Sequence, residues 1–350
     1  MPEPDAGQRH GSEEGADPSP SHSVSPLTRA LLVAFVFVSG MISALQSRAN
    51  GTLAVEMGEP IYAALWSFLS GLVVLTCGFA VPEVRRAAAR VYRAFRAGQV
   101  RWWEFSGGLV GGGFVAVQTF AVPVAGVALF LVSIVAGQSV GALVVERCGV
   151  GGTGPRALSW SRVGWAALTV AGATLAMSGR LGDGGGDGAG AAAVLLPVLL
   201  AVLIGSLLAF QTALNGHIRA VSRSFWVAAW GNFMWGSALL VGIALAQGAS
   251  GGLAAGGPVT VQQLSGSPWW TYLGGVLGIL FIVAGAVAVR PLGVLTVMLL
   301  MISGQLLGAL ALDVANPATR HLVTLSLVTG VLVTLMAAVG STLAPRQRLR

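Results

Sequence analysis

Lysine is missing from this chain of 350 residues: all twenty basic residues are arginine. Without lysine there is no GxxxxGK[ST] phosphate loop, which excludes nucleotide hydrolysis by that device. Charge of either sign is scarce, at 9% of residues, against about 25% in soluble domains, so the chain is not a soluble domain. The two cysteines, Cys77 in an apolar run and Cys148 in a loop, fit neither a disulfide framework nor a metal site. The four histidines are His10, His22, His217 and His321, two in the N-terminal tail and two near span ends. No paired intramembrane carboxylates, Ser–His pair or metal-ligand set assembles, so no enzyme, no metal and no other cofactor is expected.

Apolar residues dominate, at 55% of the chain, with a mean hydropathy of +0.78. Runs of about twenty apolar residues are long enough to cross ~30 Å of hydrocarbon. They predict an all-α polytopic membrane protein with ten transmembrane helices, near 28–47, 60–82, 103–122, 125–146, 160–178, 191–212, 224–246, 269–289, 291–313 and 321–343. The alternation of a transmembrane barrel is missing. Residues 1–26 are polar, lack a signal-peptide pattern and read as a disordered cytoplasmic tail. Residues 179–190 (GRLGDGGGDGAG) read as a flexible linker, 247–268 as an uncharged loop and 344–350 as a basic cytoplasmic tail.

The chain repeats itself. Gln46 and Asn50 in LQSRANG match Gln211 and Asn215 in FQTALNG. AALWSFLSG at 63–71 matches AAWGNFMWG at 228–236, and WWEFSGGLVG at 102–111 matches WWTYLGGVLG at 269–278. IVAGQSVGALVVE at 134–146 matches MISGQLLGALALD at 301–313, and Arg162 and Gly172 match Arg320 and Gly330. Anchors recurring in order at a near-constant offset mark a tandem repeat, with five-helix units at 27–178 and 191–343.

Five crossings is an odd number, so the second unit enters the membrane from the opposite side. With a cytoplasmic N-terminus, seventeen arginines fall on inner segments and only Arg48, Arg180 and Arg320 on outer ones, as the positive-inside rule requires. The C-terminus is then cytoplasmic too. Two inverted five-helix repeats are the architecture of many secondary transporters.

These shared phrases resemble those of a bacterial branch of the drug/metabolite transporter (DMT) superfamily, the short five-span inner-membrane exporters of the YdcZ type. The resemblance covers about 28–343, and the chain looks like a fused, two-unit member. It implies an inner-membrane, multi-pass secondary transporter of small organic solutes, metabolites or drugs, working outward. The expected partners are a small-molecule substrate and the lipid bilayer, with a second copy of the chain allowed and no nucleic acid. The alternatives are a lipid flippase, a channel or a regulatory membrane subunit.

Candidate residues follow from depth and polarity. Gln138 and Gln305 lie mid-span in matched helices, where inverted-repeat transporters bind substrate. Asn232 and Ser67 are weaker substrate-binding candidates at matched positions. The pairs Gln46 with Asn50 and Gln211 with Asn215 each share a helix face. They come late in their spans, as interhelical bonds or gates, and Asn-Gly there reads as a helix stop. Glu146 and Asp313 end matched helices and are the candidates for proton coupling; with Glu104 they are expected to be hydrated acids near the interfaces, Glu146 pairing with Arg147. The lack of a mid-depth acid argues against a permanently cationic substrate. Gly137, Gly141, Gly304 and Gly308 predict close helix packing, and Trp102, Trp103, Trp269 and Trp270 predict interfacial anchors.

Overall fold

The computed structural model describes residues 26–149, 159–182, 188–249, 266–292 and 294–343. The expected tails, most of the 247–268 loop and the centre of the 179–190 linker lie outside these residues.

Among the described residues these α-helices follow one another: α1 Pro26–Met57, α2 Pro60–Cys77, α3 Pro82–Arg96, α4 Gly107–Cys148, α5 Trp160–Gly182, α6 Gly188–Ser222, α7 Phe225–Ala249, α8 Gly274–Leu292, α9 Val294–Ala315 and α10 Leu325–Leu343. Single 3-10 turns, Trp102–Ser106 and Trp269–Leu273, lead into α4 and α8. Six helical stretches of the described residues have the length and apolarity to cross a membrane, in α1, α2, α4, α6, α7 and α9. Shorter apolar helices cover Trp269–Gly285 and Leu325–Ser341. Hydroxyls in the long apolar helices bond back to their own helix, as Ser47 Oγ does to Ser43 O in α1 and Ser133 Oγ to Leu129 O in α4, which satisfies polar groups that lipid cannot.

Three boundaries differ from the expected spans. Helices α1 and α6 do not stop at Asn-Gly. They run on to Met57 and Ser222; in α1, Asn50 and Gly51 are buried against α4, where breaking the helix would orphan backbone groups. Helix α1 stops instead at Gly58, φ 70°, followed by Pro60 at the start of α2, a glycine stop and proline start. The arginine-rich stretch after α2, outside the expected spans, is the helix α3, with Glu83 in its first turn and Arg93 and Arg96 in its last, each suited to the helix dipole.

The third difference sets the centre of the molecule. Expected spans 103–122 and 125–146 are two helical segments that abut without a connecting loop in α4, parted at Pro123 and at Gly126, φ 77°, ψ 166°. Proline removes one backbone donor, and only glycine adopts that backbone without strain. Every residue from Ala125 to Gly137 is buried, and the cluster around this segment draws on Ala44 of α1, Ala176 of α5, Ala201 of α6, Leu306 of α9 and Leu327 of α10.

Contacts in the two halves are exchanged. Helix α4 packs on α6 and α1 packs on α8 and α9. A Cβ at Gly137 would strike the Val202 carbonyl and one at Gly304 the Phe37 carbonyl. One at Gly205 would strike the carbonyl of Ile134, and one at Gly40 that of Met301. Each pair of contacts joins matched positions with the halves swapped. Helices α5 and α10 meet through Gly172 and Gly330, themselves matched residues.

Candidate functional site

The duplicated amides meet the duplicated glycines of the other half. In α1, Asn50 Nδ2 donates to Gln118 Oε1 at 2.6 Å, and Gln118 Nε2 donates to Ser47 Oγ at 2.8 Å. Asn50, Gln118 and Ser47 are wholly buried. Asn50 Oδ1 has no hydrogen-bond partner among the described residues and sits against Gly274, where a Cβ would collide with it. Ser67 lies against the same glycine, and a Cβ at Gly278 would come within 2.7 Å of Gln46 Nε2.

The second cluster repeats this with the halves exchanged. On α6, Gln211 Nε2 donates to Asn232 Oδ1 of α7 at 2.8 Å. Gln211 Oε1 is buried and has no partner among the described residues. A Cβ on Gly111 of α4 would fall 2.9 Å from Asn232 Nδ2 and 3.0 Å from Gln211 Nε2, and one on Gly107 would fall 3.4 Å from Asn215 Oδ1. The glycine phrase after each Trp-Trp pair therefore gives the other half's amides room. Gln46 and Gln211 stand inside their helices, not at helix ends.

Gln118 was not a candidate, and duplication could not reveal it: the matching position is Gly285. Its signal is a lone amide in an apolar helix. It unites Asn50 and Ser47, so this cluster spans α1 and α4, whereas Gln211 and Asn232 span α6 and α7.

Gln138 and Gln305 are partly exposed, and neither side chain bonds another described residue. Gln138 lies twelve residues past Gly126 and ten before Cys148. Gln305 lies eleven past Val294 and ten before Ala315. The structure sets them in matched packings with the halves exchanged: the backbone around Gln138 adjoins α6, and Gln305 N faces Gly40 of α1. Two surface clefts, one bounded by Arg29, Phe37 and Leu300, the other by Val55, Thr119 and Pro123, involve neither glutamine.

The acids depart furthest from expectation. Asp313 is not hydrated but wholly buried. Its Oδ1 and Oδ2 accept the backbone N–H groups of Val127 at 3.1 Å and Ala128 at 2.8 Å. The interruption at Gly126 starts a new helical segment and frees those N–H groups; a carboxylate there caps them and meets the positive end of the dipole. Gly126 is required twice, since a Cβ would also lie 2.9 Å from Asp313 Oδ2. Arg48 Nη1 donates to Leu312 O at 3.1 Å, setting a cation beside the acid.

Glu146, at the matched position, pairs with Arg162 and not with Arg147. Both partners are about a quarter to a third exposed, at 25% and 32%, so this is a half-hydrated bridge. Glu104 is buried, at 7% exposure, and its Oε2 lies 2.6 Å from His217 Nδ1. The argument against a cationic substrate from missing buried acids therefore fails. Trp102 and Trp269 are exposed in the turns that begin α4 and α8. Cys77 and Cys148 are free thiols, and the described residues hold no group of three metal-ligating side chains.

Apolar helices of membrane length, joined through glycine contacts and enclosing amides and acids satisfied by neighbouring helices, define a multi-pass membrane protein. Its class is settled by the sequence model of the family described as "Putative inner membrane exporter, YdcZ", which matches the chain twice, over residues 31–175 and 196–343. The chain belongs to this family of the DMT superfamily, as a two-repeat member. It is a family of inner-membrane exporters, not an enzyme class. No curated protein matches the chain in sequence.

Proposed function

We propose that the chain is a secondary active exporter of small organic solutes, working by alternating access between two inverted five-helix units at 27–178 and 191–343. The observation that carries this reading is the exchange of contacts, Asn50 with Gly274 against Asn215 with Gly107, and Gln46 with Gly278 against Gln211 with Gly111. Contacts between matched positions with the halves swapped are what a twofold axis between the units produces. An odd number of crossings per unit lays that axis in the membrane plane.

The crossings are α1, α2, α4 before Gly126, α4 after it and α5, then α6 to α10. At 1.5 Å per residue, the 42 residues of α4 would extend about 63 Å, roughly twice the hydrocarbon thickness, which supports a reversal at Gly126. The arginine distribution supports a cytoplasmic location for both termini.

Gln138 and Gln305 are the substrate-binding amides in this reading. Uncommitted amides halfway along their helices can bond a solute where water is excluded. Asn232 and Ser67 contribute through the flanking clusters, and Gln46, Asn50, Gln211 and Asn215 act as gates that part when the glycine-rich helices slide. Asp313 and Glu146 serve coupling, by holding or releasing the ends of α4 and α5.

The test is thermal stability of the purified chain against a panel of metabolites and drugs, since a ligand of the folded state raises stability by mass action. Hits are then followed for flux in proteoliposomes. A stabilising solute that is also transported, and is lost in Gln138→Ala with Gln305→Ala while that variant stays folded, is the expected result. Stabilisation by phospholipids alone, with silence from every soluble compound, would replace the exporter by a flippase.

A further inference from the structure

The two amide clusters share a scaffold but differ in charge. Around Gln211, Asn215 and Asn232 stand an acid and an imidazole, Glu104 and His217; at the matched positions around Gln46, Asn50 and Ser67 stand Thr271 and Thr52. We propose that Glu104, His217 and Gln211 form a binding site for one organic cation bearing N–H donors, taken up in exchange for the proton of His217.

The site is built from three elements. Glu104 is held in the turn Trp102–Ser106 with 7% of its surface exposed. Gly107, one helical turn on, lies beside Asn215 Oδ1 and Gln211 Cγ. Helix α6 supplies His217, whose Nδ1 lies 2.6 Å from Glu104 Oε2, and Gln211, 8% exposed, with Oε1 buried and unpartnered among the described residues. A buried amide oxygen is costly to leave without a donor, so it is poised to accept one. Packing alone does not call for the ion pair, since Thr271 is wholly buried at the same place in the other half.

The surrounding charges leave this pair to itself. The elements packed on the turn are α4, α6 and α7. Helix α7 carries no charged side chain, and the acid of α4, Glu146, is committed to Arg162, with Arg147 beside it exposed. Arg219 on α6, Arg223 just past its end and Arg101 are exposed, and Arg90 of the neighbouring α3 donates to Ser222 O at 2.6 Å and 2.9 Å. Exposed arginines at this face are screened by salt over about 10 Å.

Recognition follows from the acceptors. A carboxylate suits an ammonium or guanidinium group, and an amide oxygen accepts a further N–H donor of the same cation. A quaternary cation has no donor for Gln211, and an anion is repelled by Glu104. When the cation binds, its N–H replaces Nδ1–H at Glu104 Oε2 and the imidazolium gives its proton to water. One positive charge enters and one leaves, so the cluster's charge is unchanged. As part of transport this rests on the exporter reading, where it amounts to proton-for-cation exchange, but the binding step is measurable alone.

The experiment is calorimetric titration of the detergent-purified full chain with phenethylammonium chloride, and with the neutral isostere 2-phenylethanol. It is run at about pH 6 in two buffers of different ionisation enthalpy. The expected result is ammonium binding with about one proton released and no comparable binding of the alcohol. His217→Gln should bind without releasing a proton, and Glu104→Gln should weaken binding about tenfold or more. Should Glu104→Gln fail to fold, Glu104→Thr with His217→Thr copies the neutral pair of the other half and should lose both effects. Equal binding of ammonium and alcohol, unchanged affinity in the Glu104 variants, undiminished proton release in His217→Gln, or no ammonium binding would each overturn the site. Solute flux that persists in the double threonine variant would remove this site while leaving the exporter reading intact.

Discussion

Phe68 of α2 and Phe233 of α7 stack with ring centroids 4.8 Å apart and planes 30° from parallel. Phe68 occupies the space a Cβ would need on Gly236, and Phe233 does the same at Gly71. Each residue thus performs for the other half what its counterpart performs for its own. The pair marks a point where matched positions of the two units meet, and truncating either ring opens the same hole. Phe68→Ala and Phe233→Ala should each cost about 1–3 kcal/mol, because packing rather than water exclusion holds helices together in lipid. The double variant should cost less than the sum by about 0.5–1.5 kcal/mol, the coupling of an aromatic pair. Unfolding in mixed micelles reads both; strictly additive losses would separate the rings energetically.

Asp313 holds two backbone donors at the interruption of α4. Asp313→Ala should destabilise the chain by about 2–5 kcal/mol, since two buried N–H groups lose their acceptor. Asp313→Asn keeps one acceptor oxygen and should fall between that variant and the parent. The unfolding midpoints of the three proteins check the order. A parent-like midpoint for Asp313→Ala would deny the cap.

Two glutamines in the same helix should behave in opposite ways. Gln118 is buried and bonded to Asn50 and Ser47, so Gln118→Ala should lower stability by about 1–3 kcal/mol through stranded partners. Gln138 bonds no described side chain, so Gln138→Ala should leave stability within about 0.5 kcal/mol while weakening solute binding. Melting curves beside ligand titrations separate the two effects. A Gln138 variant that melts early would return that amide to a structural role.

The bridge between Glu146 and Arg162 is half hydrated. Such pairs contribute about 0–1 kcal/mol, so Glu146→Gln should cost little stability. If the bridge serves coupling, the same variant should slow solute flux while solute affinity stays at the parent value. Parallel measurement of flux and binding decides it, and parent-like flux would confine the bridge to holding α5.

What the chain reveals before folding is governed by duplication and depth. Apolar runs fix where helices lie because lipid leaves the backbone no other way to bond itself. Repeated phrases mark Asn50, Gln211 and the glycines because both halves need them. Asp313 escaped, since a helix-end acid is usually hydrated and only the interruption at Gly126, on another helix, turns it inward. Gln118 escaped because its half-mate is glycine. Helix α3 escaped because its arginines masked a stripe of Ala87, Val91 and Ala94, now buried against Ile218 and Val227. The Asn-Gly ends misled because a phrase that stops helices in water lies inside α1 and α6; in α1 buried neighbours hold it helical, while in α6 Gly216 is exposed.

The central claim is that matched segments of the two units face opposite sides of the membrane. The most direct measurement is impermeant-thiol labelling in intact cells, in a chain whose exposed Cys77 and Cys148 are replaced by serine. Single cysteines are placed at Glu56 near the end of α1 and at Ala220 near the end of α6, both exposed. The account predicts that Glu56→Cys is labelled from outside and Ala220→Cys only after the cells are opened. Labelling of both from the same side would contradict the inverted arrangement.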